Sequence, residues 1–160
     1  MAGMRVFMKI DGIPGSSLED GRKDWSDVRG FEHDLKYPYD MAGGRGTGAQ
    51  IHGPCTVLKD IDKASPKLYE ALAKNLKVTK VTIEFERDKP GDGSTEIYFK
   101  IVLSDCRVIT ARPHIPPFKD RNPDLPLHLE TIGFGYRKID WEWLSGGKLP
   151  TTFDFNAPSS

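Results

Sequence analysis

The residues able to do chemistry are spread thinly along this chain. Four histidines, His33, His52, His114 and His128, fall in four different segments, and no two share the short spacing of a metal-ligand pair on one element. Two of them can meet only if the fold brings them together, and read singly they are polar surface or interface residues. Asp20, Asp24 and Asp27 lack the spacing and the closing glutamate of a calcium loop. No Gly-x-Ser-x-Gly elbow positions a serine nucleophile.

The run Gly43-Gly44-Arg45-Gly46-Thr47-Gly48 is rich enough in glycine to cradle a phosphate, but its context is wrong. A phosphate loop needs Gly-Lys-Ser/Thr opening a helix, and a dinucleotide fingerprint needs another glycine three residues on. Here Gly48 is followed by Ala49, Gln50 and Ile51 in a strand-like segment. Trp25, Trp141 and Trp143 suit either a stacking platform for a sugar or anchors in a core or subunit interface, and the second use is the commoner. The residue types therefore point to no catalytic site, no metal and no cofactor.

Composition agrees with a folded module. The 160 residues are 38% hydrophobic and 29% charged, with 23 basic and 23 acidic side chains, so no net charge draws the chain to nucleic acid or anionic lipid. That length predicts a single domain over residues 1–160. The N-terminus has no apolar stretch fit for a cleaved leader, and no run approaches a membrane span. Synthesis in the cytosol and export by a dedicated machine are the expectation. Two cysteines, Cys55 and Cys106, are too few for a disulfide framework; both are expected as buried thiols, with one disulfide as the alternative.

The elements that must position these residues are mostly strands. Val6, Met8 and Ile10 share one face of an opening strand, followed by turn chemistry over residues 11–16, and residues 25–39 hold further period-two stretches. Residues 40–53 contain five glycines and predict a long extended loop without regular structure. Cys55 to Ile61 resumes as a strand. Ser65 reads as a helix N-cap with Pro66 at the first turn, Leu68, Leu72 and Leu76 form the apolar stripe, and Asn75 marks the stop.

Val81, Ile83 and Phe85, then Ile97, Phe99, Ile101 and Leu103, predict a hairpin across the loop 88–94. The proline-rich segment 113–126 predicts a surface excursion. In the run 127–143 the inward parity changes near Arg137, which predicts a bulge or twist. Phe153 and Phe155 flank Asp154 in a closing strand. The sum is a mainly β fold, a small β-barrel or sandwich of two sheets with one flanking α-helix.

Several of these segments together resemble the Hcp family (haemolysin-coregulated protein), the inner-tube subunit of the type VI secretion system. Phe7, Ile10 and Asp11-Gly12-Ile13-Pro14-Gly15-Ser16-Ser17 are similar to its opening strand and turn. Asp62-Lys63-Ala64-Ser65-Pro66-Lys67-Leu68, with Ala71, resembles its helix start. Val81, Ile83, Phe85 and Arg87, then Tyr98 to Leu103, resemble the hairpin that follows. Glu130-x-Ile132-x-Phe134-x-Tyr136-x-x-Ile139 resembles the penultimate strand, and Phe153-Asp154-Phe155-Asn156 the last. The order and spacing carry the resemblance from Met4 to Asn156; Ser16 departs from it, standing where a Glu is common.

The resemblance implies a subunit of hexameric rings that stack head to tail, propelled by a contractile sheath behind a spike protein and carrying small effectors in the lumen. It implies no enzyme and no nucleic-acid or membrane partner. It also implies a bacterial cytoplasmic location before firing and release outside the cell or into a target cell afterwards. Some relatives continue into a C-terminal toxin domain, for which this chain has no expected room. A tube protein of a phage-like contractile injection apparatus is the alternative, with a small β-barrel hydrolase behind it. On this reading Met41, Gly43, Gly44, Arg45, Gly46 and Gly48 form a ring-stacking arm, and Glu84, Tyr98 and Lys100 lie on a lateral interface.

Overall fold

The computed structural model describes residues 4–46, 48–115 and 128–155. Twelve strands and one helix follow in the order β1 (Arg5–Ile10), β2 (Ser26–Glu32), β3 (Leu35–Lys36), β4 (Tyr39–Asp40), β5 (Arg45–Gly46), β6 (Ile51–His52), β7 (Cys55–Asp60), α1 (Ser65–Ala73), β8 (Lys77–Asp88), β9 (Thr95–His114), β10 (Leu129–Gly135), β11 (Lys138–Trp143) and β12 (Leu149–Asp154). The main sheet runs β10-β7-β2-β1-β8-β9-β11-β12, and a further β10–β9 pairing closes it on itself. Six strands thus form an antiparallel barrel, with β11 and β12 continuing beyond it. The expected barrel with one flanking helix is observed, and its two walls belong to one continuous sheet.

Alternation fills the interior as the sequence pattern requires. Met8, Ile83 and Ile101 share one cross-strand row, and Ile10, Val81, Leu103 and Ile139 the next. All are buried, with Val57, Ile132 and Phe134 completing the core. Cys55 and Cys106 are both buried free thiols, and burial pushes each up to about 12, so they stay protonated at neutral pH. The opposite face of β1 is covered too: Phe7 lies beneath the guanidinium groups of Arg5 and Arg22, each 4.6 Å from its ring. Gly15 permits the covering loop to close, since a Cβ there would lie 2.6 Å from the Trp25 carbonyl oxygen.

The helix differs from its sequence reading at both ends. Ala64, not Ser65, occupies the N-cap position, and Ser65 is the first helical residue. Its hydroxyl is engaged elsewhere, accepting from the Asp62 N–H at 2.9 Å and donating to buried Glu130 at 2.7 Å. The buried face is Ser65, Leu68 and Ala71, while Leu72 and Leu76 are exposed. The inward stripe follows i, i+3 rather than i, i+4, and Leu76 lies beyond the helix, which ends at Ala73. Asn75 is the stop as read: it takes φ +52, and the N–H groups of Asn75 and Leu76 bond to the carbonyls of Leu72 and Ala71.

The hairpin of β8 and β9 is observed, but β9 runs on to His114. Pro113 and His114 therefore lie in a strand, opposite Glu130 and Leu129, where the expectation was an excursion. Proline is tolerated there because β9 has lost its β8 neighbour beyond Arg107, leaving one side without a ladder to break. Residues 116–127 of that proline-rich segment lie outside the described residues.

Candidate functional site

The parity change near Arg137 marks a fork in the wall. Both β10 and β11 pair with β9, at Gly135↔Arg107 and Lys138↔Ser104, and the chain between them bends opposite Asp105. Asp105 takes φ +52 and pairs with Arg137 at 3.1 Å. Before the bend the outer neighbour is β7, with Phe134↔Cys55; after it the neighbour is β12, with Lys138↔Asp154. β7 and β12 therefore part company on either side of Tyr136.

The glycine-rich segment grows out of this fork as an ordered hairpin arm, not an irregular loop. Leu35↔His52 and Lys36↔Ile51 pair at its root, and Tyr39↔Gly46 and Asp40↔Arg45 near its tip. The Asp40 carboxylate accepts from the Ala42 N–H at 3.0 Å, its carbonyl accepts from Gly44 at 2.7 Å, and Gly44 supplies the positive φ that turns the chain back. These local bonds hold short strands despite the entropy cost of the glycines. Gly46 lies against the Tyr37 ring, with no room for a side chain unless that ring shifts.

Met41, Gly43 and Gly44 form the tip, Arg45 and Gly46 the return strand, and Gly48 follows it. Met41 is 86% exposed, and Leu35, Tyr37, Tyr39 and Ile51 are exposed along the arm. These side chains make an exposed apolar strip along the hairpin.

At the arm's root two histidines do converge. The Tyr136 hydroxyl sits 2.5 Å from His52 Nδ1 and 3.0 Å from His33 Nε2. Phe153 and Phe155 pack against the His52 ring at 4.7 and 4.8 Å between centroids. Burial lowers the pKa of both histidines, with the neighbouring His52 adding to the effect at His33, and burial raises that of Tyr136. The sequence carried one hint: Tyr136 shares the inward parity of Ile132 and Phe134, and a phenol pointing inward needs a partner. Among the described residues no group of three or more His, Cys, Asp or Glu is placed to hold a metal ion.

The second set of sequence candidates lies apart from the arm. Glu84 and Lys100 face each other across β8 and β9, but Tyr98 falls at a register shift between Phe99 and Ile97 and packs with residues of the Phe85 and Phe99 parity, apart from the Glu84–Lys100 row. Glu84 is held by Arg22 at 3.3 Å, and Tyr98 packs against Arg87 and Trp143. Lys100 stands between Glu84 and Glu142 in the cross-strand row, without an ion pair among the described residues.

A closed antiparallel barrel with a flanking helix and a projecting hairpin arm defines a class of small contact-bearing β modules. The model of the family described as "Type VI secretion system effector, Hcp" matches residues 7–143. The "Major exported protein" of Pseudomonas aeruginosa PAO1 is 35% identical over 127 residues, covering 79% of this chain and 73% of that protein. An Hcp1 variant from the E. coli EAEC 042 pathovar superposes with a TM-score of 0.79 at 26% identity, over 97% of this chain and 99% of that one. The secreted protein Hcp3 of Pseudomonas aeruginosa gives 0.73 at 25% identity, over 97% and 100%. Hcp1 of Salmonella typhimurium, at 20% identity over 99% of both chains, shares the fold with a TM-score of 0.77. The chain belongs to the Hcp family of the type VI secretion system. No helix among the described residues is long and apolar enough to cross a membrane.

Proposed function

We propose that this chain is a structural, non-catalytic subunit of the type VI secretion inner tube, folding as one domain over residues 1–160. Six copies form a ring, rings stack head to tail, and the tube travels outward with its spike inside a contractile sheath, carrying small effectors in its lumen. A closed ring needs two different faces on each subunit, so that one copy's surface meets another surface of the next. Stacking needs a third contact along the tube axis. The projecting arm, residues 35–52, supports this reading most directly: its apolar strip is exposed on a single copy and suits burial against another.

In this reading Met41 and Arg45 anchor the arm on the neighbouring ring, and the glycines 43, 44, 46 and 48 let its backbone approach closely. Glu84, Tyr98 and Lys100 contribute to the lateral contact, with Lys100 as the cation left for an acidic partner. Deleting residues 41–48 tests the arm. Rings of unchanged mass and loss of tubes under negative-stain electron microscopy are expected; normal tubes from the deleted chain would overturn the assignment.

A further inference from the structure

We infer that His33, His52 and Tyr136 form a proton-sensitive latch at the root of the arm, closed when both imidazoles are neutral and loosened when both are charged.

The placement is the first argument. Tyr136 sits where the wall divides between β7 and β12; His52 pairs with Leu35 in the arm's first rung, and His33 lies two residues before Leu35. The three side chains therefore join the arm to the barrel at one point. Phe153 and Phe155 close over His52 and set the cluster in a partly apolar surround.

Donor and acceptor accounting is the second. A Tyr136 hydroxyl has one proton to give and lone pairs to receive with. In the tautomer that carries the His33 proton on Nδ1, Nε2 is left as an acceptor. The chain then runs one way: His52 Nδ1–H donates to the Tyr136 oxygen, and the Tyr136 O–H donates to His33 Nε2. A proton on His33 Nε2 reverses the chain, with His33 donating to the Tyr136 oxygen and the Tyr136 O–H donating to His52 Nδ1; a second proton, on His52, removes that last acceptor and aims two N–H donors at one oxygen. Charging His52 as well sets two cations 6.4 Å apart between ring centroids.

The charged groups around the cluster do not cancel this effect. On the arm side Asp34 favours a charged His33 but is paired with Lys36 at 3.3 Å. On the barrel side Arg137 is paired with Asp105 and, at 3.7 Å, with Asp154 of β12. On β7 the neighbouring group is the buried Cys55, a neutral thiol pushed up to about 12 by burial.

The sign follows from linkage. Both histidines are held below their ordinary value in the seated arm, so seating is fully favoured above about pH 6.5 and weakens as pH falls below it. Each proton taken up on release raises arm opening by at most about tenfold between pH 7.5 and pH 5.5. A consequence for ring stacking rests on the tube reading above; the latch does not.

Hydrogen exchange by mass spectrometry on the full chain tests the latch, with rates corrected for the intrinsic pH dependence of exchange. Exchange over residues 35–52 should rise about tenfold from pH 7.5 to pH 5.5, while β1 and β8 stay unchanged. His33→Gln, which keeps hydrogen-bonding capacity but cannot charge, should abolish most of that rise. Tyr136→Phe, which keeps the ring and loses the hydroxyl, should expose the arm already at pH 7.5. Equal arm protection at both pH values, or an undiminished rise in folded His33→Gln, would overturn the latch. Ring mass recorded on the same samples separates the two readings: unchanged arm exchange in intact rings sinks the latch alone, whereas a pH-responsive arm on a persistent monomer sinks the tube alone.

Discussion

Lys59 and Glu130 are both 0% exposed and are ion-paired inside the barrel wall, on the neighbouring strands β7 and β10. Lys59 also donates to Asp62 and to the Asp60 carbonyl, each at 2.9 Å, while Glu130 accepts from Ser65 at 2.7 Å and Tyr69 at 2.5 Å. Burial, then the bond to Glu130, pushes the Tyr69 phenol up to about 12, so it remains a donor. The network pins the start of α1 to β10, and with it the helix that covers the core. Lys59→Met leaves the buried Glu130 without its cation and should cost about 3–5 kcal/mol, whereas Glu130→Leu should cost less, because Lys59 keeps Asp62. The double variant should recover only part of the sum of the two losses, because the Ser65 and Tyr69 hydroxyls still lose their acceptor. Urea unfolding of the three variants checks the cycle; strictly additive losses would contradict the pairing. Glu130 stood in the sequence among apolar neighbours, but its partner could not be read there, since Lys59 lies 71 residues away.

At the scale of the element, the helix and the arm show what local patterning reveals. Asn75 was legible as a stop because few residues accept the left-handed backbone that ends a helix. Asn75→Val should cost about 1–2 kcal/mol, and Asn75→Gly should not, as thermal unfolding can show. The apolar stripe was only partly legible: Leu68 and Ala71 turn inward, whereas Leu72, within the helix, and Leu76, past its end, are exposed. The arm was legible as an extended segment, not as a hairpin. Its strands are two residues each, too short for a period to show, and Asp40 organises the tip through bonds that composition does not announce. The convergence of His33 and His52 was beyond sequence reading because the fork that unites them arises from strand pairing between distant segments.

The whole molecule is a barrel whose wall opens at Tyr136, with β11 and β12 extending past the closed part and the arm leaving through the opening. Alternating strands, one helix and their order made the barrel legible, whereas closure through β9 and β10 depended on a bend that the parity change only marked. Lys100→Glu places a third acid in the row of Glu84 and Glu142 and should weaken ring formation, lowering the ring fraction in sedimentation at fixed concentration. An unchanged ring fraction would remove this face from the lateral contact. The most direct test of self-assembly is native mass spectrometry of the untagged chain. A species of about 107 kDa, six times the 17.9 kDa subunit, is the predicted result. A 17.9 kDa monomer that persists at high concentration would contradict the ring, and with it the tube.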